Sequence, residues 1–177
     1  VFLKFLDQRI GKLDGMVITG GEPTMHHDLR SFISRIKEKG FQVKLDTNGN
    51  NPMVLEELLA SKLIDYVAMD VKTDSANYLD LVGGCADAEH IEESIRMLIH
   101  SRIAYEFRST LIREIHTTEM LTNMAEMIRG ASEIYLQSFR PGHTLDAAYE
   151  KYHPFFPTEM EKIADIFQKT VKKVFIR

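Results

Sequence analysis

The sequence predicts an α/β protein: a single domain, residues 1–177, in which parallel strands alternate with helices and curve into a partial barrel. Short apolar runs of strand length alternate along the chain with segments of helical apolar spacing. Connections between parallel strands are right-handed almost without exception, so such units wind steadily in one direction. Glu22, Asp46, Thr47, Asp70, Lys72, Arg108 and Arg140 all fall at or near the carboxyl ends of the strand runs. A rim shared by successive strands is what a barrel provides, whereas a doubly wound sheet concentrates its ligand at one switch point.

Taken in order, residues 1 to 12 read as a helix ending near Gly11, with Val1, Leu3, Phe5 and Leu6 on its apolar side. Met16-Val17-Ile18 is a continuous apolar run between glycines, as expected of a strand covered on both faces. Gly20-Gly21 turns the backbone and leaves Glu22 at the strand's carboxyl end. Leu29, Phe32, Ile33 and Ile36 then recur at helical spacing, opened by Asp28 and closed by Gly40.

Phe41, Val43 and Leu45 alternate into Asp46-Thr47-Asn48-Gly49, a strand ending in polar side chains and a turn. Asn51 and Pro52 supply an N-cap and a first helical residue for the helix through Leu55, Leu58 and Leu59. Tyr66 to Met69 is the third strand, and alternation puts Asp70 and Lys72 beyond it on one face. A loop with Gly83 and Gly84 precedes a helix through Ile91, Ile95, Leu98 and Ile99. The fourth strand spans Tyr105 to Leu111 and carries Arg108. A helix capped near Thr117 and stopped at Gly130 follows, then a fifth strand from Ile134 to Phe139. A last helix through Met160, Ile163, Ala164 and Phe167 leads to the short apolar end Val174-Phe175-Ile176.

With 44% hydrophobic residues and 177 positions the chain can bury a core of its own. A net charge of -4 with signs mixed along the sequence gives no basic footprint for nucleic acid and no polybasic patch for a membrane. No apolar run approaches the length of a spanning helix and no signal-peptide pattern opens the chain, so the expected compartment is the cytoplasm. The single cysteine, Cys85, excludes an internal disulfide and offers no zinc or iron-sulfur ligand set. It has no basic neighbour in sequence and reads as inert. His26-His27 lacks the i, i+4 spacing of a helical zinc site and reads as surface loop. Tyr149, Tyr152, His153, Phe155 and Phe156 form an aromatic cluster expected to pack across one end of the barrel.

The rim carries the chemistry. Carboxylates can accept hydrogen bonds from an ammonium group while lysine and arginine hold a carboxylate, so this set matches a zwitterionic ligand such as an amino-acid-bearing cofactor. The plainer alternative is that Asp70, Lys72 and Arg108 are structural ion pairs and that Gly20-Gly21-Glu22 is an ordinary loop turn.

The combination of Gly20-Gly21-Glu22-Pro23, Asp46-Thr47-Asn48-Gly49 and Asp70-Val71-Lys72 resembles the radical S-adenosylmethionine enzymes, in particular the branch that activates glycyl-radical enzymes. Asp14 to Thr24, Val43 to Gly49 and Asp65 to Asp70 are most similar to the activating proteins of anaerobic ribonucleoside-triphosphate reductase, and Glu106-Phe107-Arg108 and Leu136-Gln137 extend the likeness. The resemblance implies a partial (β/α)6 barrel of the TIM type. It also implies that Gly20, Gly21 and Glu22 hold the amino group of S-adenosylmethionine. Asp46, Thr47, Asp70 and Lys72 would bind the rest of its methionyl end, together with a monovalent cation. Arg108 would reach its carboxylate or ribose, and Arg140 would make a late contact.

By the same likeness the reaction is generation of a 5′-deoxyadenosyl radical and installation of a glycyl radical on the reductase, with flavodoxin or ferredoxin as electron donor. Pyruvate formate-lyase is the alternative partner. The family's first strand and the Cys-x3-Cys-x2-Cys loop that holds its [4Fe-4S] cluster are not found here, so the chain is expected to be N-terminally incomplete and inactive alone. Two further readings stay open: a barrel aldolase with Lys72 as Schiff-base nucleophile, and a cluster-free binding domain.

Overall fold

The computed structural model describes residues 2–82, 84, 86–142, 144 and 146–177. Six strands lie parallel in one sheet in the sequential order β1 to β6: Gly15–Ile18, Gln42–Thr47, Tyr66–Asp70, Ala104–Leu111, Ile134–Ser138 and Val174–Ile176. Every neighbouring pair is parallel and the order never reverses, which is the topology of an opened barrel rather than of a doubly wound sheet. The helices are α1 (Phe2–Asp7), α2 (Leu29–Lys37), α3 (Pro52–Ala60), α4 (Tyr78–Leu81), α5 (Ala88–His100), α6 (Thr118–Met127) and α7 (Pro157–Phe167).

Period-2 alternation sorts the strands into two faces. Val43, Leu45, Val67, Met69, Phe107, Ile134 and Leu136 point one way and are fully buried with Ile33, Ile36, Leu55, Leu58, Ile95, Leu98 and Phe167 of the helices. The other face is polar: Lys44 and Asp46 on β2, Tyr66 and Asp70 on β3, Glu106 and Arg108 on β4. Its lower half is a closed network in which Lys44 Nζ meets Glu106 Oε1 at 2.9 Å while the Tyr66 hydroxyl lies 3.1 Å from Glu106 and 3.2 Å from Glu133. Burial, followed by the charges of those two carboxylates, raises the Tyr66 pKa, so the phenol stays neutral there. The upper half opens at the carboxyl rim.

Local signals place most boundaries. Thr117 caps α6 by accepting the Met120 N–H at 3.2 Å, and Asp87 caps α5 through Glu89 N–H at 2.9 Å. Asn51 stands at the N-cap of α3 but does not cap it; its Nδ2 donates instead to the Thr24 carbonyl and ties the loop after β1 to the start of α3. Three expectations are corrected. The apolar tail Val174–Ile176 is a sixth strand, paired to β5 and extended by the stacked rings of Tyr135 and Phe175, with centroids 4.7 Å apart. The first helix ends at Asp7 and continues only as turns, with Leu6 buried and Phe2 against Phe32 of α2. β1 is an edge strand, and its Val17 is 52% exposed rather than covered.

Candidate functional site

The loops after β1, β2 and β3 and the upper end of β4 enclose a cleft of about 170 Å³ lined by Thr19, Gly21, Glu22, Asp46, Thr47, Asn48, Asp70, Lys72 and Arg108. A second cleft of about 220 Å³ adjoins it, shares Asp70, Lys72 and Arg108, and adds apolar groups such as Leu81, Ile112 and Phe139. Seven of the nine predicted rim residues therefore meet in one place. Gly20 faces a neighbouring depression with Ile18, Pro23 and His26. Arg140 is exposed and lies outside the lining of both shared clefts.

Register builds the charge array. Asp70 and Arg108 are direct partners on β3 and β4, and Arg108 Nε donates to Asp70 Oδ1 at 2.9 Å. Its Nη1 reaches back across β3 to Asp46 Oδ2 on β2 at 3.1 Å. Lys72 Nζ lies 3.6 Å from Asp70 Oδ2. Burial lowers the Arg108 pKa, but the charge of Asp70 and the hydrogen bonds to Asp46 and Asp70 outweigh it, and the guanidinium is held above its ordinary value. Lys72 is half-exposed and ion-paired, unlike the desolvated amine that Schiff-base chemistry uses.

The Glu22 carboxylate accepts four hydrogen bonds from the protein itself. Its Oε1 accepts from Thr24 N at 3.2 Å, Thr24 Oγ1 at 2.7 Å and Thr47 Oγ1 at 2.8 Å, and its Oε2 accepts from Asn48 N at 2.7 Å. The carboxylate is thus a staple joining the first loop to the end of β2, and Thr47 is spent on the same staple and on the Gly49 N–H. Gly20 and Gly21 have φ of 97° and 55°, a left-handed turn that lets the staple form. Gly49 is fixed more firmly: φ is 78°, and a Cβ there would meet the Met69 side chain.

One atom is left over. Asp46 Oδ1 is buried in the cleft wall and has no hydrogen-bond partner, the only such carboxylate oxygen among the described residues. A buried acceptor without a donor is costly, and Asp46 belongs to the cleft lining, where a ligand donor such as an ammonium group would relieve it. Three carboxylates against two cations leave the lining one net negative charge. That complements an amino-acid sulfonium, whose ammonium and sulfonium outweigh its one carboxylate.

Fold and site together define an opened β/α barrel with a charged cleft at its carboxyl rim. The model of the radical SAM superfamily matches residues 2–115, and the chain belongs to that superfamily. It is 36% identical over 169 residues to a Methanocaldococcus jannaschii protein named for glycyl-radical enzyme activation, covering 93% of this chain and 70% of that one. Among solved structures it resembles a domain of pyruvate-formate lyase-activating enzyme from Bacteroides vulgatus, with TM-score 0.72, 20% identity and coverage of 92% and 98% of the two chains. It also resembles Streptococcus suis SuiB bound to S-adenosylmethionine, with TM-score 0.71, 14% identity and coverage of 99% and 42%.

The family implies S-adenosylmethionine and a [4Fe-4S] cluster. The first fits the residues present, on the evidence of the Asp46 acceptor and the charge balance. The second does not: the sequence has one cysteine, Cys85, which together with Gly83 lies outside the described residues, and the described residues hold no group of three or more metal-ligating side chains. No helix among the described residues is long and apolar enough to cross a membrane. Sequence reasoning missed the Glu106, Tyr66 and Glu133 network and the buried His116. Their partners are distant in sequence, and no local pattern announces them.

Proposed function

We propose that this chain is the S-adenosylmethionine-binding core of an activase that installs a glycyl radical on anaerobic ribonucleoside-triphosphate reductase. The observation that carries the reading is the buried, unpartnered Asp46 Oδ1 set among Asp70, Lys72 and Arg108. Asp46 would accept from the cofactor's ammonium, with Asp70 beside it. Lys72, on the opposite side of Asp70 from Arg108, would hold the carboxylate as a point charge. Arg108, already engaged through Nε and Nη1, would offer its remaining donors to the carboxylate or ribose. Gly20, Gly21, Glu22 and Thr47 would shape the rim that excludes water from the methionyl end. When bound, S-adenosylmethionine would supply a 5′-deoxyadenosyl radical on one-electron reduction by a donor outside this chain, its C5′–S bond breaking to release methionine, and that radical would take a hydrogen atom from a glycine of the partner, leaving 5′-deoxyadenosine and a glycyl radical.

The reductase is favoured by the sequence likeness at Asp14 to Thr24, Val43 to Gly49 and Asp65 to Asp70. Flavodoxin or ferredoxin is the proposed electron donor, and a monovalent cation beside Asp46 and Asp70 is a proposed companion of the ligand. Calorimetric titration with S-adenosylmethionine and with S-adenosylhomocysteine, which lacks the sulfonium charge, tests the site: the sulfonium compound should bind more tightly. Equal or absent binding of both overturns the reading. Electron paramagnetic resonance of the reductase and of pyruvate formate-lyase, each incubated with the protein that carries this chain, decides the partner.

A further inference from the structure

We infer that His116 and Tyr78 form a two-sided clamp on the backbone of Lys72 and act as positioning residues for the cofactor's carboxylate. The inference rests on the proposed cofactor site. Loop backbone is ordinarily satisfied by water, yet both polar groups of Lys72 end on buried side chains. Its N–H donates to the Tyr78 hydroxyl at 3.0 Å, and its carbonyl lies 2.9 Å from His116 Nε2. Tyr78 is 1% exposed and His116 3%.

The geometry fixes the histidine's tautomer. The Ile112 N–H always carries its proton and donates to Nδ1 at 2.9 Å, a shorter contact than the 3.1 Å from Nδ1 to the Ile112 carbonyl. Nδ1 is therefore the acceptor and Nε2–H the donor to Lys72. His116 thereby bolts the loop after β3 to the loop after β4, the two loops that carry Lys72 and follow Arg108.

The preceding and following residues are held as well. Val71 N–H continues the ladder to the Arg108 carbonyl at 2.8 Å. Asp74, 3% exposed, accepts from Asn77 at 2.6 Å and from Asn123 of α6 at 3.0 Å. A lysine side chain has several soft torsions, so a point charge at its tip is placed only as well as its Cα is held. Two of these anchors, Tyr78 and His116, fall on Lys72 itself, whose side chain lines both clefts.

The test is a set of variants read by S-adenosylmethionine affinity and by hydrogen exchange without ligand. His116→Ala should weaken binding about tenfold, and His116→Gln, whose amide offers an acceptor and a donor, should recover most of it. Tyr78→Phe should weaken binding in the same direction. In a Lys72→Ala background the His116→Ala change should have less than about a twofold effect, because the two act as one unit. Amides 71–74 should exchange faster in His116→Ala and in Tyr78→Phe. Equal losses with and without Lys72, or unchanged exchange at 71–74, overturns the clamp while leaving the site intact. Unaltered affinity in Lys72→Ala alone overturns the cofactor reading and the proposal with it.

Discussion

Arg108 and Asp70 are register partners on adjacent parallel strands, and the guanidinium uses Nε for Asp70 at 2.9 Å while turning Nη1 to Asp46 one strand further away. One arginine thus bridges two carboxylates on two strands. Asp46 and Arg108 are 18% and 19% exposed in their side chains, and Asp70 is 35%. Removing the cation leaves two partly buried anions side by side. Arg108→Leu should lower unfolding free energy by about 2 to 3 kcal/mol, below the value for a fully buried pair because Asp70 is wetter. Arg108→Lys should restore little, since a point charge cannot span both partners. Urea denaturation of the three proteins checks this.

The glycines of the rim should differ in cost. Gly49→Ala meets both an unfavourable φ and the Met69 side chain, and should destabilise by about 2 to 4 kcal/mol. Gly20→Ala meets only the backbone penalty, about 1 to 2 kcal/mol, because nothing lies within 4 Å of its Cβ. Thermal melts of the two variants should preserve that order.

Glu22 should prove structural as well as electrostatic. Glu22→Gln keeps the shape but replaces one acceptor oxygen by a donor where Thr24, Thr47 and Asn48 all donate. A loss of about 1 to 3 kcal/mol in stability without any ligand is expected. A fully stable variant would mean that the carboxylate is free to serve a ligand alone.

Tyr78 gives a pH signature. Burial, partly offset by the Lys72 N–H, pushes its pKa from 10.0 up to about 12. The folded protein then holds this proton more tightly than the unfolded chain. The resulting stability is fully present below pH 10 and is lost as pH rises through about 12. The window is worth about 3 kcal/mol. Tyr78→Phe should show a flatter alkaline fall in stability than the parent.

Much of this was legible in the sequence, for identifiable reasons. Strands buried on both sides, such as Val67 to Met69, announce themselves by continuous apolar runs, and period-2 alternation puts Asp70 and Lys72 on one face at the rim. Thr117 capped the helix it was expected to cap. Asn51 did not, because a tertiary partner, the Thr24 carbonyl, competed for its side chain. The rim's membership was readable, but the division of labour within it was not. Whether a carboxylate faces a ligand or the protein's own donors depends on contacts between loops 25 residues apart, as Glu22 and Thr47 show. Arg140 lies just past the end of β5, yet it is exposed and outside the lining of both shared clefts.

The central claim is that Asp46 Oδ1 awaits the ammonium of S-adenosylmethionine, and Asp46→Asn tests it most directly. The substitution keeps the side chain's size and removes the charge that a cationic donor needs. Titration calorimetry should show S-adenosylmethionine binding weakened by about 1.5 to 3 kcal/mol relative to the parent, the range of a charge-assisted hydrogen bond. Binding of equal strength in the two proteins would contradict the account.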